Sequence, residues 1–502
     1  MSDVMNEKHL YAIIRKPQEG KTFICLENIR RSPDEIHLII TMNTIKSNLQ
    51  FFSRAKEQFE DKICVFNSRV KKTQDFRHAK DVLGVKKHLI NGSDVIIMCA
   101  HHKRFDESII SLLDEIYDSI SINKHVTIHI DEAHAYVPPY KARVAQMNFH
   151  DVTHRIYMYT ATPFNIWAHE ESTCQVDSLF KNIFIVDCER DFEIMRSEKY
   201  FGVKDCEIIT SDTSYQMITN IIPSDFIHRW GNPEQRKGAE RGIIYSWYET
   251  EYKFDLGNEL EMLSYTKNVL LDLKGNEIDD NKYSYNFIPG YSRKLTHYMI
   301  SEMILETYPS AIVIIINGEG TKIRKSSSGK IVTLSPKMNF AEPSDQIEAV
   351  KLCFPNSPVF ITGFHCVGMS VTLINPTLGN FDNVIISHEQ YIERPDVQYQ
   401  LCRFLFNYIT WDSSSVDKIK KTKLFVNDYQ FVQNCLDYEN QIDLIDTTMT
   451  GNLRTLKEVV GSVKIKAKKI PKRKICESPE ALTTITLKEI LNVHDDLPCI
   501  DK

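Results

Sequence analysis

Residues 126–134 read Val126-Thr127-Ile128-His129-Ile130-Asp131-Glu132-Ala133-His134. An apolar, β-rich run that stops at two adjacent acids is the pattern of a parallel strand buried on both faces, with its C-terminal end opening at a sheet edge. Working outward, runs of the same kind lie at Tyr11–Ile14, Ile36–Thr41, Ile63–Phe66, Val95–Cys99 and Ile156–Tyr159. Helix-compatible segments separate them, so the chain is expected to build βαβ units into an open, doubly wound sheet. A second set at Ala311–Ile316, Ile331–Leu334, Pro358–Thr362, Val384–Ser387 and Leu424–Val426 predicts a second α/β domain.

The first strand, Tyr11–Ile14, runs directly into Arg15-Lys16-Pro17-Gln18-Glu19-Gly20-Lys21-Thr22. Gly-Lys-Thr between a strand and a helix is the core of a P-loop. Gly20 lets backbone N–H groups approach phosphate, Lys21 reaches the β and γ phosphates, and Thr22 offers a hydroxyl to Mg²⁺. Gln18 and Glu19 complete the candidate nucleotide-binding turn. The acids that end Val126–Ile130 supply the complementary half. Asp131 would hold Mg²⁺ through its water shell, and Glu132 would orient or deprotonate the attacking water. ATP and Mg²⁺ are therefore the expected substrate and metal. Lys21 and Glu132 are candidate catalytic residues, and Thr22 and Asp131 are candidate metal ligands.

Asp131-Glu132-Ala133-His134, following a P-loop, resembles the signature of a DEAH-type member of helicase superfamily 2, within the P-loop NTPases. Further stretches resemble that family's motifs in the same order. Tyr159-Thr160-Ala161-Thr162-Pro163 resembles the Ser/Thr-Ala-Thr motif, which implies that His134, Thr160 and Thr162 couple hydrolysis to movement between lobes. Thr41-Met42-Asn43-Thr44 resembles the motif that grips the sugar-phosphate backbone, and Cys99–Arg104 ends a strand at the matching edge. Thr41, Asn43, His101 and Lys103 are thus candidate nucleic-acid contacts, in residue types suited to sequence-blind phosphate binding.

Ile361–Ser370 resembles motif V, adding Thr362 on the nucleic-acid side and Gly368 and Ser370 on the nucleotide side; Ser370 stands where many relatives have aspartate. Gln398–Arg403 resembles motif VI. It implies Gln400 near the nucleotide and Arg403 as an arginine finger on the γ-phosphate, with Arg394 the alternative; Cys402 replaces the usual glycine. Arg293, in Gly290–Lys294, sits where the family enters its second lobe and is a candidate nucleic-acid contact. The family usually carries a glycine where Gln18 stands.

The expected fold is α/β: two tandem RecA-like parallel-sheet domains with an inserted linker subdomain and a C-terminal extension. The expected boundaries are 1–190 for the ATP-binding domain, 191–284 for the linker, 285–440 for the second RecA-like domain and 441–502 for a basic extension ending in a short helix. The linker is expected to be mostly irregular or helical.

The chain of 502 residues is ample for this, and its 42% apolar and 25% charged residues are ordinary for a globular protein. Twelve scattered cysteines without a Cys-x-x-Cys pair point away from zinc and disulfides. A net charge of −6 excludes a bulk-charge nucleic-acid coat but allows a local groove, and Lys464–Lys474 is a basic run. No basic-then-apolar leader and no run of ~18 apolar residues is present. An intracellular protein, cytoplasmic or nuclear and away from membranes, is expected.

The resemblance implies a nucleic-acid-dependent ATPase acting on DNA or RNA, as helicase or translocase, within a larger transcription, replication or repair complex. Its drifted motifs resemble those of helicases of large DNA viruses. Two other readings stay open: a motor that remodels or anneals without separating strands, and a nucleotide-binding scaffold. About fourteen residues precede the P-loop, leaving little room for an adenine-reading Q motif, so weak discrimination among nucleoside triphosphates is expected.

Overall fold

A computed structural model describes residues 10–43, 45–67, 77–163, 166, 183–192, 201–210, 256–291, 294–317, 320–327, 330–334, 343–364, 367, 373–375, 377–387, 395–402 and 421–448. The first sheet contains β1 (Leu10–Ile14), β2 (Ile36–Thr41), β3 (Ile63–Phe66), β4 (Arg77–Ala79), β5 (Val95–Cys99), β6 (Val126–Ile130), β7 (Thr153–Thr160) and β8 (Phe184–Ile185). Its order is β4-β3-β5-β2-β6-β7-β1-β8, parallel throughout. Every residue of β2, β3, β5 and β6 is buried, which is why these strands read as unbroken apolar runs. The connecting helices are α1 (Lys21–Arg31), α2 (Ile45–Phe59), α3 (Val82–Ile90), α4 (Ile109–Tyr117), α5 (Ala133–Tyr136) and α6 (Lys141–Phe149), followed by α7 (Cys188–Phe192).

The second sheet comprises β9 (Glu207–Thr210), β10 (Tyr285–Phe287), β11 (Ile312–Asn317), β12 (Gly320–Ser327), β13 (Lys330–Leu334), β14 (Val359–Gly363), β15 (Asn383–Ile386) and β16 (Lys423–Val426). The order is β13-β12-β11-β14-β10-β15-β16-β9. Its helices are α8 (Leu256–Leu273), α9 (Lys294–Thr307), α10 (Pro343–Cys353), α11 (Pro395–Leu401) and α12 (Tyr429–Thr448). The protein is thus two tandem RecA-like α/β units with mostly parallel sheets.

The structure departs from the sequence reading at particular places. The run at Ile331–Leu334 does not join the parallel part of the sheet. As β13 it pairs antiparallel with β12, which pairs antiparallel with β11, the pairing open to strands that are near neighbours along the chain. Glu207–Thr210, inside the stretch expected to be irregular or helical, is a strand parallel to β16 at the edge of the second sheet. In that same stretch, α8 buries Met262, Leu263, Tyr265 and Leu270 in one cluster with residues of α9 and β11. Among the described residues no helix is long and apolar enough to cross a membrane.

Candidate nucleotide-binding cleft

β1 delivers the P-loop to the C-terminal edge of the first sheet. Gln18 (φ 59°) and Gly20 (φ 80°) both adopt the left-handed backbone region. Gly20 caps α1, and its carbonyl accepts the N–H of Ile24 at 2.9 Å. Left-handed residues alternating with ordinary ones turn successive N–H groups toward one concavity, which suits an anion at a helix N-terminus. Gln18 holds the glycine-like conformation without being glycine, and its side-chain Oε1 and Nε2 are buried with no hydrogen-bond partner.

The charged side chains of this loop are engaged with the loop itself. Lys21 is buried, and its Nζ donates to the carbonyls of Arg15 (3.3 Å) and Lys16 (3.2 Å). The Glu19 carboxylate accepts the Lys16 N–H at 2.8 Å and lies 3.8 Å from Arg15 Nη1. Lys16 reaches out of its own lobe: its Nζ is 2.6 Å from Asp443 Oδ1 on α12. The Thr22 hydroxyl is within 3.5 Å of Arg54 Nη1 on α2.

The acids arrive on β6, two strands from β1. The parallel register aligns Ile14 with Thr160 on β7, and Met158 with Ile130, so Arg15, Thr160 and Asp131 emerge at one end of the sheet. Asp131 is half-buried, and its charge helps burial raise the Cys25 thiol on α1 above the ordinary range. Glu132 (φ 48°) turns the chain sharply into α5 and is 1% exposed. Its Oε2 lies 3.6 Å from His134 Nδ1, and that nitrogen is 3.2 Å from Thr160 Oγ1. Thr160 also accepts the Thr162 N–H on its hydroxyl (3.0 Å) and the Arg15 N–H on its carbonyl (3.1 Å). Arg15, Thr160 and His134 are therefore joined by hydrogen bonds across β1 and β7, and His134 brings that chain within 3.6 Å of the Glu132 carboxylate beyond β6.

The residues fit a magnesium–triphosphate. The left-handed turn offers N–H donors, Lys21 is a displaceable ammonium, and Thr22 and Asp131 lie on the loop and strand end beside it. Among the described residues no group of three or more His, Cys, Asp or Glu could hold a metal. Magnesium does not require one, since it binds through one or two carboxylates plus substrate phosphates.

The candidate nucleic-acid residues separate into two kinds. Asn43, His101 and Lys103 follow the ends of β2 and β5; Asn43 and Lys103 are exposed and His101 half-exposed. The His101 and His102 rings are 4.1 Å apart, and His101 is held below its ordinary pKa, first by desolvation and then by His102, Arg104 and Lys103. Thr41, by contrast, is buried and its hydroxyl accepts from Asn48 Nδ2 at 3.0 Å. It shapes the loop from inside and does not face solvent. Thr362 is also fully buried on β14, its hydroxyl without a partner.

In the second lobe, Gln400 on α11 is 1% exposed with both amide atoms unpartnered. Its neighbour Gln398 accepts from Asn434 Nδ2 of α12 at 3.0 Å. Arg293, Gly368, Ser370, Arg394 and Arg403 lie outside the described residues, as does the basic run 464–474.

Structural comparison finds helicases. A DEAD box protein from Methanococcus jannaschii superposes at TM-score 0.33 and 11% identity, covering 87% of this chain and 87% of that one. The helicase Lhr of Mycobacterium smegmatis, bound to ssDNA and AMP-PNP, gives 0.41 and 12%, over 89% of this chain and 47% of that one. S. cerevisiae Dbp5, bound to RNA and ADP BeF3, gives 0.41 and 10%, over 86% and 83%. No protein-family model and no curated protein matches the sequence.

Three contacts were not legible in the sequence. Tyr136 ends α5, and its hydroxyl accepts the Asn43 N–H at 2.9 Å. Asp443 meets the P-loop from the other lobe. Glu439, one turn earlier on α12, accepts the Val203 N–H at 3.0 Å, and burial pushes its carboxyl up to about 7.

Proposed function

We propose that the chain is a nucleic-acid-dependent ATPase that works as a superfamily 2 helicase or translocase. The observation that carries this reading is the continuous link Arg15–Thr160–His134–Glu132, with backbone N–H to carbonyl at 3.1 Å, hydroxyl to imidazole at 3.2 Å, and imidazole to carboxylate at 3.6 Å. It supports a reading in which the turn after β1 takes the phosphates, Glu132 serves the water, and Thr160 between them belongs to the segment that couples hydrolysis to movement between lobes.

In this reading ATP lies over the turn Gln18-Glu19-Gly20. Lys21 leaves the Arg15 and Lys16 carbonyls for the β and γ phosphates. Thr22 and Asp131 would hold Mg²⁺, which when bound neutralises charge on the phosphates. Glu132 orients the water and takes its proton, while His134 keeps the carboxylate aimed. Gly368, Ser370, Gln400 and the finger Arg403 (or Arg394) approach from the second lobe, so closure completes the site. Asn43, His101, Lys103 and Arg293 face a DNA or RNA strand, with Thr41 and Thr362 supporting from within. The domains divide as 1–190, 191–284, 285–440 and 441–502.

The test is steady-state hydrolysis with single-stranded DNA, duplex DNA and RNA side by side. Glu132→Gln removes the proton acceptor and leaves the shape, and is expected to lower the rate by about a hundred-fold or more. Undiminished turnover in that variant would instead support the nucleotide-binding scaffold, for which the self-occupied loop of Glu19 and Lys21 is the favouring observation. A strand-displacement assay separates unwinding from remodelling or annealing.

A further inference from the structure

Tyr136, at the end of α5, lies between the expected strand path and the second lobe. Its hydroxyl takes the Asn43 N–H at 2.9 Å, fixing the loop after β2. Its ring packs against the small apolar cluster formed by Met42 of that loop and Val397 of α11 in the second lobe. On its other side it lies parallel to Phe105, with centroids 6.4 Å apart and planes 15° apart, and Phe105 stacks in turn on Tyr140 at 4.6 Å. Phe105 follows the His101–Arg104 cluster directly, so the second proposed strand contact is tied to the same ring. The backbone between Tyr136 and Glu132 is one short helical turn, in which Ala135 N–H bonds to Glu132 carbonyl at 2.9 Å and Val137 N–H to Ala133 carbonyl at 2.8 Å.

We propose that Tyr136 is a positioning residue that makes the geometry of Glu132 depend on what occupies the loops after β2 and β5. This rests on the motor reading above. A phenol suits the task because it is rigid, with an apolar body for the two lobes and one polar tip for a backbone amide. A strand pulling on Asn43 moves that amide, the hydroxyl follows, and the single turn of α5 conveys the shift to the Glu132 backbone. The Val397 contact gives lobe closure the same lever. Met42, Phe105 and Val397 offer no polar tip of this kind, so the hydroxyl is the specific link and the ring the general one.

Tyr136→Phe removes the hydroxyl and keeps the ring; Tyr136→Leu removes both. Each full-length variant is assayed for ATP turnover alone and across a titration of single-stranded DNA and of poly(U) RNA, with thermal melts as a folding control. Tyr136→Phe is expected to keep the strand-free rate and to show a stimulation about five-fold lower or a half-saturating strand concentration about five-fold higher, the worth of one neutral hydrogen bond. Tyr136→Leu is expected to lose more, with Phe as the partial rescue. Wild-type stimulation and half-saturation in both variants would overturn the role, as would equal losses with and without strand, which mark a merely structural residue. A wild-type rate that no strand raises sinks the motor reading itself, and that outcome is read in the parent protein before any variant.

Discussion

Gln18 shows how a strand-to-helix turn can hold a left-handed residue that is not glycine. Its φ of 59° lies in the region that costs a non-glycine residue about 1 kcal/mol or more. The neighbouring bonds, Lys16 N–H to Glu19 and Lys21 to the Arg15 and Lys16 carbonyls, over-determine the turn and hold the strain. Gln18→Gly is therefore expected to be at least as stable as the parent. Gln18→Val, β-branched and averse to this region, should lose about 1–2 kcal/mol, read by urea unfolding. Equal stabilities for the two variants would mean that the loop is not held in this conformation. At this scale the sequence was informative where chemistry and position coincide, as with Gly20, Lys21, Asp131 and Glu132, each at or just past a strand's C-terminal end. It was silent on Asp443 and Glu439, whose contacts with Lys16 and Val203 arise only when distant segments meet.

Among elements, α12 links the two lobes. It packs on α11, pairs Asp443 with Lys16, and receives the Val203 N–H on Glu439 beside the turn that leads into β9. Lys16 is buried and Asp443 partly exposed, so water still screens one end of the pair and it biases the loop without locking it. Glu439 gives a pH signature. Its folded pKa of about 7 exceeds its ordinary 4.5, so its contribution is fully present below 4.5 and is lost as pH rises through 7. The buried His37 and His129, joined at 3.1 Å, are both held below 6.5 chiefly by desolvation. Their contribution is present above 6.5 and is lost as pH falls beneath it. The two effects oppose one another, so Glu439→Gln is expected to gain stability relative to the parent above pH 7 and to show a steeper acid decline below 6.5. A stability–pH curve parallel to that of the parent would refute the assignment. Elements themselves were legible in proportion to their burial. β2, β5 and β6 stood out as continuous apolar runs, whereas β4 has three residues, β8 two, and β12 reads Gly-Thr-Lys-Ile-Arg-Lys-Ser-Ser, a strand made by hairpin pairing and not by apolar pattern.

At the scale of the molecule, a fully parallel first sheet makes every strand pairing non-local. β1 is flanked by β7 and β8, so Leu10 lies beside Ile156 and Tyr11 beside Phe184. Parallel pairing of this kind is slow to nucleate, because chain closure precedes any contact that rewards it. During synthesis β1 has neither of its sheet neighbours until β7 follows, roughly 7–30 s later at ~5–20 residues per second. Ribosome-stalled chains ending before residue 153 are thus expected to leave the 10–22 segment open to protease, while longer chains protect it; protection in the short chains would exclude this order of assembly. The turn at residues 15–22, translated before β7 and β8, would thus be among the last parts of its lobe to take shape, leaving nascent chains without that concavity until the lobe is nearly made.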